Sequence, residues 1–201
     1  MRSERAISAD DQTHRFTVAH GYEFPFGKGQ RWGSDLSRMV DAFVGGWRIT
    51  GITQLRSGLP FGVENTPNTT NSLGGRQRAD RIGDGSLPRS QRTLKRFFDT
   101  GAFVAPAPFT FGNGARNVLR APGLVNFDIA LDKRFYVNIP FSHGSTAAAE
   151  GSFVEFRAEA FNATNTPPFG FPFAAVGDQR IGQINSAGDG RIFQLGLKVY
   201  F

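Results

Sequence analysis

The sequence predicts an all-β chain, an antiparallel transmembrane β-barrel segment whose long strands are joined by turns on one side and long loops on the other. Three observations predict it. Five segments alternate apolar and polar residues with period two, each for about ten residues or more, well beyond the ~5–6 residues of an ordinary strand. Turn-forming residues are dense, with 25 Gly and 11 Pro among 201 residues. No run of about 18 apolar residues occurs, so no helix of this chain is expected to cross a bilayer.

The first periodic segment is 13–24, where Phe16, Val18, His20, Tyr22 and Phe24 share one face and Arg15, Thr17, Ala19, Gly21 and Glu23 the other. Pro25-Phe26-Gly27-Lys28-Gly29 supplies a turn, and Leu36, Met39, Val40 and Phe43 have the spacing of a short amphipathic helix within 34–44. The second strand is expected over 47–56, with Trp47, Ile49, Gly51, Thr53 and Leu55 on one side. Periodicity returns at 126–135, where Phe127, Ile129, Leu131 and Phe135 share a face with Lys133, opposite Asn126, Asp128, Ala130, Asp132 and Arg134. In 152–162, Val154, Phe156, Ala158 and Ala160 alternate with Glu155, Arg157 and Glu159. The final segment, 191–201, sets Phe193, Leu195, Leu197, Val199 and Phe201 in an unbroken apolar row against Gln194, Gly196, Lys198 and Tyr200.

Between Glu64 and about Gly123 the alternation stops, and the stretch is expected to be a long loop broken by the apolar knots Phe97-Phe98, Phe103-Val104 and Phe109 to Phe111. Such a loop is rare inside a compact soluble domain. It also holds the charge asymmetry. The chain carries a formal net charge of +6, and the excess sits in Arg76, Arg78, Arg81, Arg89, Arg92, Lys95 and Arg96, countered locally by Asp80 and Asp84. That segment is a candidate loop for an anionic ligand or for lipopolysaccharide, by charge attraction; an ordinary solvated loop has the same composition.

Catalytic chemistry finds little support. With no Cys, disulfides, thiolate metal sites and cysteine nucleophiles are excluded. His14, His20 and His143 have no metal-ligand spacing, and no GxSxG, GxxxxGK[ST] or HExxH motif is present. Glu155 and Glu159 on one strand stand about 13 Å apart, too far for a glycosidase pair, and the intervening Arg157 suits an ion-pair ladder. The chain is therefore expected to be no enzyme and to need no cofactor and no metal.

The assignment of faces follows from length. A tilted bilayer-spanning strand needs about 9–11 residues, apolar toward lipid and polar toward a hydrated lumen. Phe193, Leu195, Leu197, Val199 and Phe201 are then the lipid-facing row, and Glu155, Arg157, Glu159 and Lys198 are lumen-facing candidates. Tyr22, Phe24, Trp47, Phe135, Tyr136 and Tyr200, at strand ends, have the placement of an interfacial aromatic girdle. The same alternation fits the exposed sheet face of a soluble β-sandwich or adhesin, and that class stays open. A basic nucleic-acid-binding protein is the third class, prompted by an isoelectric point near 10.3. No aromatic residue interleaves with the loop arginines before Phe97, which argues against nucleic acid as a partner.

The ending KVYF resembles the C-terminal assembly signal of bacterial outer-membrane barrels. Five further segments occur in order: FTVAHGYEFPFGKG, FVGGWRITGITQLRSGLPF, FGNGARNVLRAPGLVNFDIALDKRF, FRAEAFNATNTPPFG and IGQIN. Together they resemble the last part of Oar-like TonB-dependent receptors over roughly residues 13–201. That resemblance implies a 22-stranded outer-membrane barrel, of which this chain supplies about five or six strands, with residues 1–12 a disordered or preceding-loop segment. It implies as partners the outer-membrane lipid, lipopolysaccharide, the barrel-assembly machinery and an unknown transported ligand, with TonB contacted only through a plug region that this sequence does not contain. The N-terminus, MRSERAISADDQ, has no apolar signal core, and the sequence reads as the C-terminal fragment of a longer exported receptor. In the family's topology the last strand runs inward, which places 64–123 and 163–190 outside the cell and 27–46 and 137–151 in the periplasm.

Overall fold

The computed structural model describes residues 5–72, 75–136 and 152–200. Each alternating segment forms a strand. In chain order the elements are β1 (Arg15–Glu23), α1 (Arg38–Val44), β2 (Trp47–Arg56), β3 (Pro60–Phe61), β4 (Glu64–Asn65), β5 (Gln77–Arg78), β6 (Asp80–Arg81), β7 (Phe103–Val104), β8 (Leu119–Arg120), β9 (Leu124–Tyr136), β10 (Phe153–Phe161), β11 (Ala175–Val176) and β12 (Ile192–Tyr200). Short 3₁₀ turns lie at Arg89–Gln91 and Thr100–Ala102. The expected turn at 137–151, with His143, and the terminal Phe201 lie outside the described residues.

The described residues fall into two compact units, one drawn from 16–54, 125–167 and 189–201, the other from 1–15, 55–124 and 168–188. The first is built on the five long strands, in the order β1-β2-β9-β10-β12. The β10 pairings are antiparallel, and so is β1 with β2, where Phe24 N bonds Trp47 O at one end and Ser57 N bonds His14 O at the other. Among the described residues this sheet is open, with β1 and β12 as its edges. Its register sorts the side chains. Leu195, Leu197 and Val199 stand opposite Ala158, Phe156 and Val154, which stand opposite Leu131, Lys133 and Phe135. On the other face, Lys198 opposes Glu155, which opposes Arg134, and Arg157 opposes Asp132.

On β9 and β10 the charged face is at least as buried as the apolar one, which is unlike a water-soluble sheet. The apolar row of β12 is exposed, Leu195 at 72 %, whereas Asp132 on the charged face is 2 % exposed and Glu155 is buried. The helix begins at Ser37, whose hydroxyl accepts from Val40 N, and ends at Gly45, whose N–H donates to Asp41 O.

The second unit corrects the expectation of a long structureless loop. Residues 64–123 carry β4 to β8, every one of them two residues long. Strands of that length display no periodicity, so the sequence conceals them. β11 pairs parallel with β4, which pairs antiparallel with β5; β3 pairs with β8, and β6 with β7. Of the apolar knots, Phe98 and Phe103 join a core with Phe61, Val63, Ala79, Ala102, Leu119 and Ala121, whereas Phe109 and Phe111 stay exposed. Phe98 meets Phe61 and Phe103 edge-on, with ring centroids 5.8 and 5.9 Å apart, the arrangement that ring quadrupoles favour. Arg120 ties residues near the N-terminus into this unit by its pair with Asp11 and a bond to Gly58 O.

Candidate functional site

The charged wall of the long sheet is the first site. Arg157 projects from the middle of β10 and bonds Asp132 of β9 at 3.1 Å and Glu159 of its own strand at 2.9 Å. Arg48 of β2 approaches the same Asp132 at 3.7 Å. Arg134 donates to Glu155 at 3.0 Å. The ladder thus spans three neighbouring strands, and strand pleating explains it: residues two apart share a face, and cross-strand neighbours stand about 5 Å apart. Of the candidates named from sequence, Glu155, Arg157 and Glu159 stand in this ladder, and Lys198 lies on the same face in register with Glu155. Asp132, Arg134 and Arg48 complete it, and they were legible as polar members of the alternation without an assigned partner.

Opposite the ladder, Phe193, Leu195, Leu197 and Val199 form an exposed apolar row. Phe201, expected to continue it, lies outside the described residues. Lys133 interrupts the apolar face and is fully buried. It stands over the rings of Trp47 and Phe135 at 5.3 and 5.2 Å and donates to Gly45 O, so its charge is spent on aromatic faces and a carbonyl.

The basic residues of the loop are not gathered into one patch. Arg81 bonds Asp84 and the Gly83 carbonyl, Arg96 bonds Asp99, and Arg92 donates to Leu87 O while lying over the Phe97 ring at 5.4 Å. Arg89 and Lys95 are exposed. Arg76 and Arg78 instead line a cavity of about 410 Å³ with Arg116, Glu64, Phe111 and Asn117. Arg76 pairs with Glu64 at 3.2 Å, which leaves the lining net positive. Arg116 and Phe111 carried no signal because they stand more than thirty positions from Arg76 and Arg78, beyond the end of the basic run. The clue in the sequence is Gly112: a side chain there would run into the Arg78 carbonyl oxygen, so glycine lets residues 111–117 close over β5.

Two carboxylates of this unit are held below the ordinary range. Hydrogen bonds from Arg180 hold Asp178 down to about 2, and Arg180 in turn lies over the Phe173 ring at 4.0 Å. The Arg120 hydrogen bond likewise lowers Asp11.

No cluster of His, Cys, Asp and Glu among the described residues has the makings of a metal site. An amphipathic sheet of nine- to thirteen-residue strands with charges on its more buried face is the architecture of a membrane barrel wall. The outer membrane beta barrel domain family matches residues 1–194. The chain belongs to that family. Its place is therefore the bacterial outer membrane. No curated protein and no solved structure matches it.

Proposed function

We propose that this outer-membrane barrel chain serves a receptor or transporter of the TonB-dependent, Oar-like type, and that it does no catalysis. The observation that carries the reading is the inversion of the sheet: apolar side chains outward at Leu195 and its row, paired charges inward at Asp132, Glu155 and Arg157. Such a wall gives lipid one side and a hydrated passage the other. Residues 64–123 face the outside of the cell. There the Arg76, Arg78 and Arg116 cavity takes an anionic group of the cargo or of lipopolysaccharide, with Phe111 offering an aromatic face. The apolar row of the last strand is the segment that the barrel-assembly machinery reads.

Two measurements test this. An impermeant maleimide applied to intact cells should label Arg116→Cys and leave Leu195→Cys unlabelled; the reverse result overturns the topology. Cells with and without the gene, each with and without TonB, should be compared for depletion of solutes from the medium. A solute lost only when both are present is the expected result, and equal depletion without TonB overturns the energised-transport reading.

A further inference from the structure

The segment between β1 and β2 is more than a turn. Its helix α1 exposes Met39 at 82 % and Phe43 at 78 %, with Val40 and Val44 also in solvent, and Phe26 and Trp32 stand exposed on the preceding residues. A seven-residue helix with no buried side chain has nothing within the protein to hold it by burial. Polar contacts fix it instead, and they come from one side of the sheet. Trp47 Nε1 donates to Phe43 O at 2.8 Å, and Lys133 Nζ donates to Gly45 O. Both residues belong to the apolar face, since Lys133 stands in register with Phe156, and Phe156 with Leu197. The end of the helix is thereby held at the rim of the face that carries the lipid-exposed rows.

The backbone is built for this fold-over. Gly27 adopts φ +118°, and a side chain there would sit 2.6 Å from the Gly45 Cα, so the two ends of the segment touch. Asp41 turns inward and accepts from the Lys28 N–H. Of the remaining charges in 26–44, Lys28, Arg31 and Arg38 oppose Asp35 alone, and the Arg31 guanidinium lies over the Trp32 ring at 5.3 Å.

The geometry points to an in-plane membrane anchor: residues 26–44 lie in the headgroup region of the bilayer, with Met39, Phe43, Phe26 and Trp32 seated among acyl chains. Lys28, Arg31 and Arg38 meet anionic phosphates of phospholipid there. The exposed apolar side chains share the chemistry of the lipid-facing rows of the strands, and the basic excess complements an anionic lipid surface. This rests on the reading of the apolar sheet face as lipid-facing.

The chain has no native cysteine, so single nitroxide labels report position without background. Met39→Cys, Phe43→Cys, Asp35→Cys and Leu195→Cys should be made in the full protein, purified from outer membranes and reconstituted in vesicles of phosphatidylethanolamine with phosphatidylglycerol. The expected result is that labels at Met39 and Phe43 collide severalfold more with oxygen than with a water-soluble nickel complex, as the Leu195 label does, while the Asp35 label shows the opposite. Labels at Met39 and Phe43 that match Asp35, with Leu195 still in lipid, overturn the anchor and leave the barrel wall standing. A Leu195 label in water overturns the lipid-facing reading and the anchor with it.

Discussion

Arg157 is the residue on which the charged wall depends most. Its guanidinium is shared by Asp132 and Glu159, and Asp132 is almost completely buried, so removing it leaves a carboxylate with only the longer contact to Arg48. Breaking a buried pair by deleting one partner costs about 3–5 kcal/mol. Arg157→Ala is therefore expected to lower the denaturant midpoint of the folded barrel by a shift of that order, while Arg157→Lys recovers part of it. An unchanged midpoint means that Arg48 alone satisfies Asp132. At Asp178 the sign runs with acid: a carboxyl held near 2 in the fold and near 3.8 when free adds stability that is complete above the free value. That stability is lost as pH falls through about 2. The carboxyl carbon resonance of Asp178 should titrate near 2, and in Arg180→Ala its midpoint should rise toward 3.8. The pairing of Glu155, Arg157 and Glu159 was legible because opposite charges alternated on one strand. The burial of Lys133 was not, because nothing in the alternation shows that Trp47 and Gly45 arrive from eighty-odd residues earlier to receive its ammonium.

At the scale of elements, long strands announce themselves and short ones do not. Residues 47–56 were expected as a strand, and β2 has those bounds; 13–24, 126–135, 152–162 and 191–201 differ from β1, β9, β10 and β12 by two residues or fewer at any described end. Ten alternating residues repeat the period five times, which local chemistry rarely imitates. The two-residue strands β3 to β8 and β11 arise from tertiary contact, with the Phe61–Phe98–Phe103 cluster drawing them together, and so they leave no periodic trace. β12 offers the sharpest test of its faces. Leu195→Arg places a charge on the apolar row and should cost about 2–4 kcal/mol near the bilayer midplane, read as a loss of the heat-modifiable folded band. Lys198→Arg, on the charged face, should leave that band unchanged; equal damage from both means the faces of β12 are not chemically distinct.

For the molecule as a whole, family and residue pattern agree that strands cross the membrane, and strand direction is measurable. Polarised infrared dichroism of the protein in oriented bilayers should give strands tilted about 35–45° from the normal, as closed barrels require; strands lying flat on the bilayer would contradict the crossing. The charged face also has an electrical consequence. Arg48, Arg134, Arg157 and Lys198 share it with Asp128, Asp132, Glu155 and Glu159, so this stretch of wall is close to neutral within one Debye length, about 8 Å. Neighbouring charges cancel before their field reaches the middle of a pore. Such a lining repels neither cations nor anions, and any conductance past it is expected to discriminate weakly between potassium and chloride.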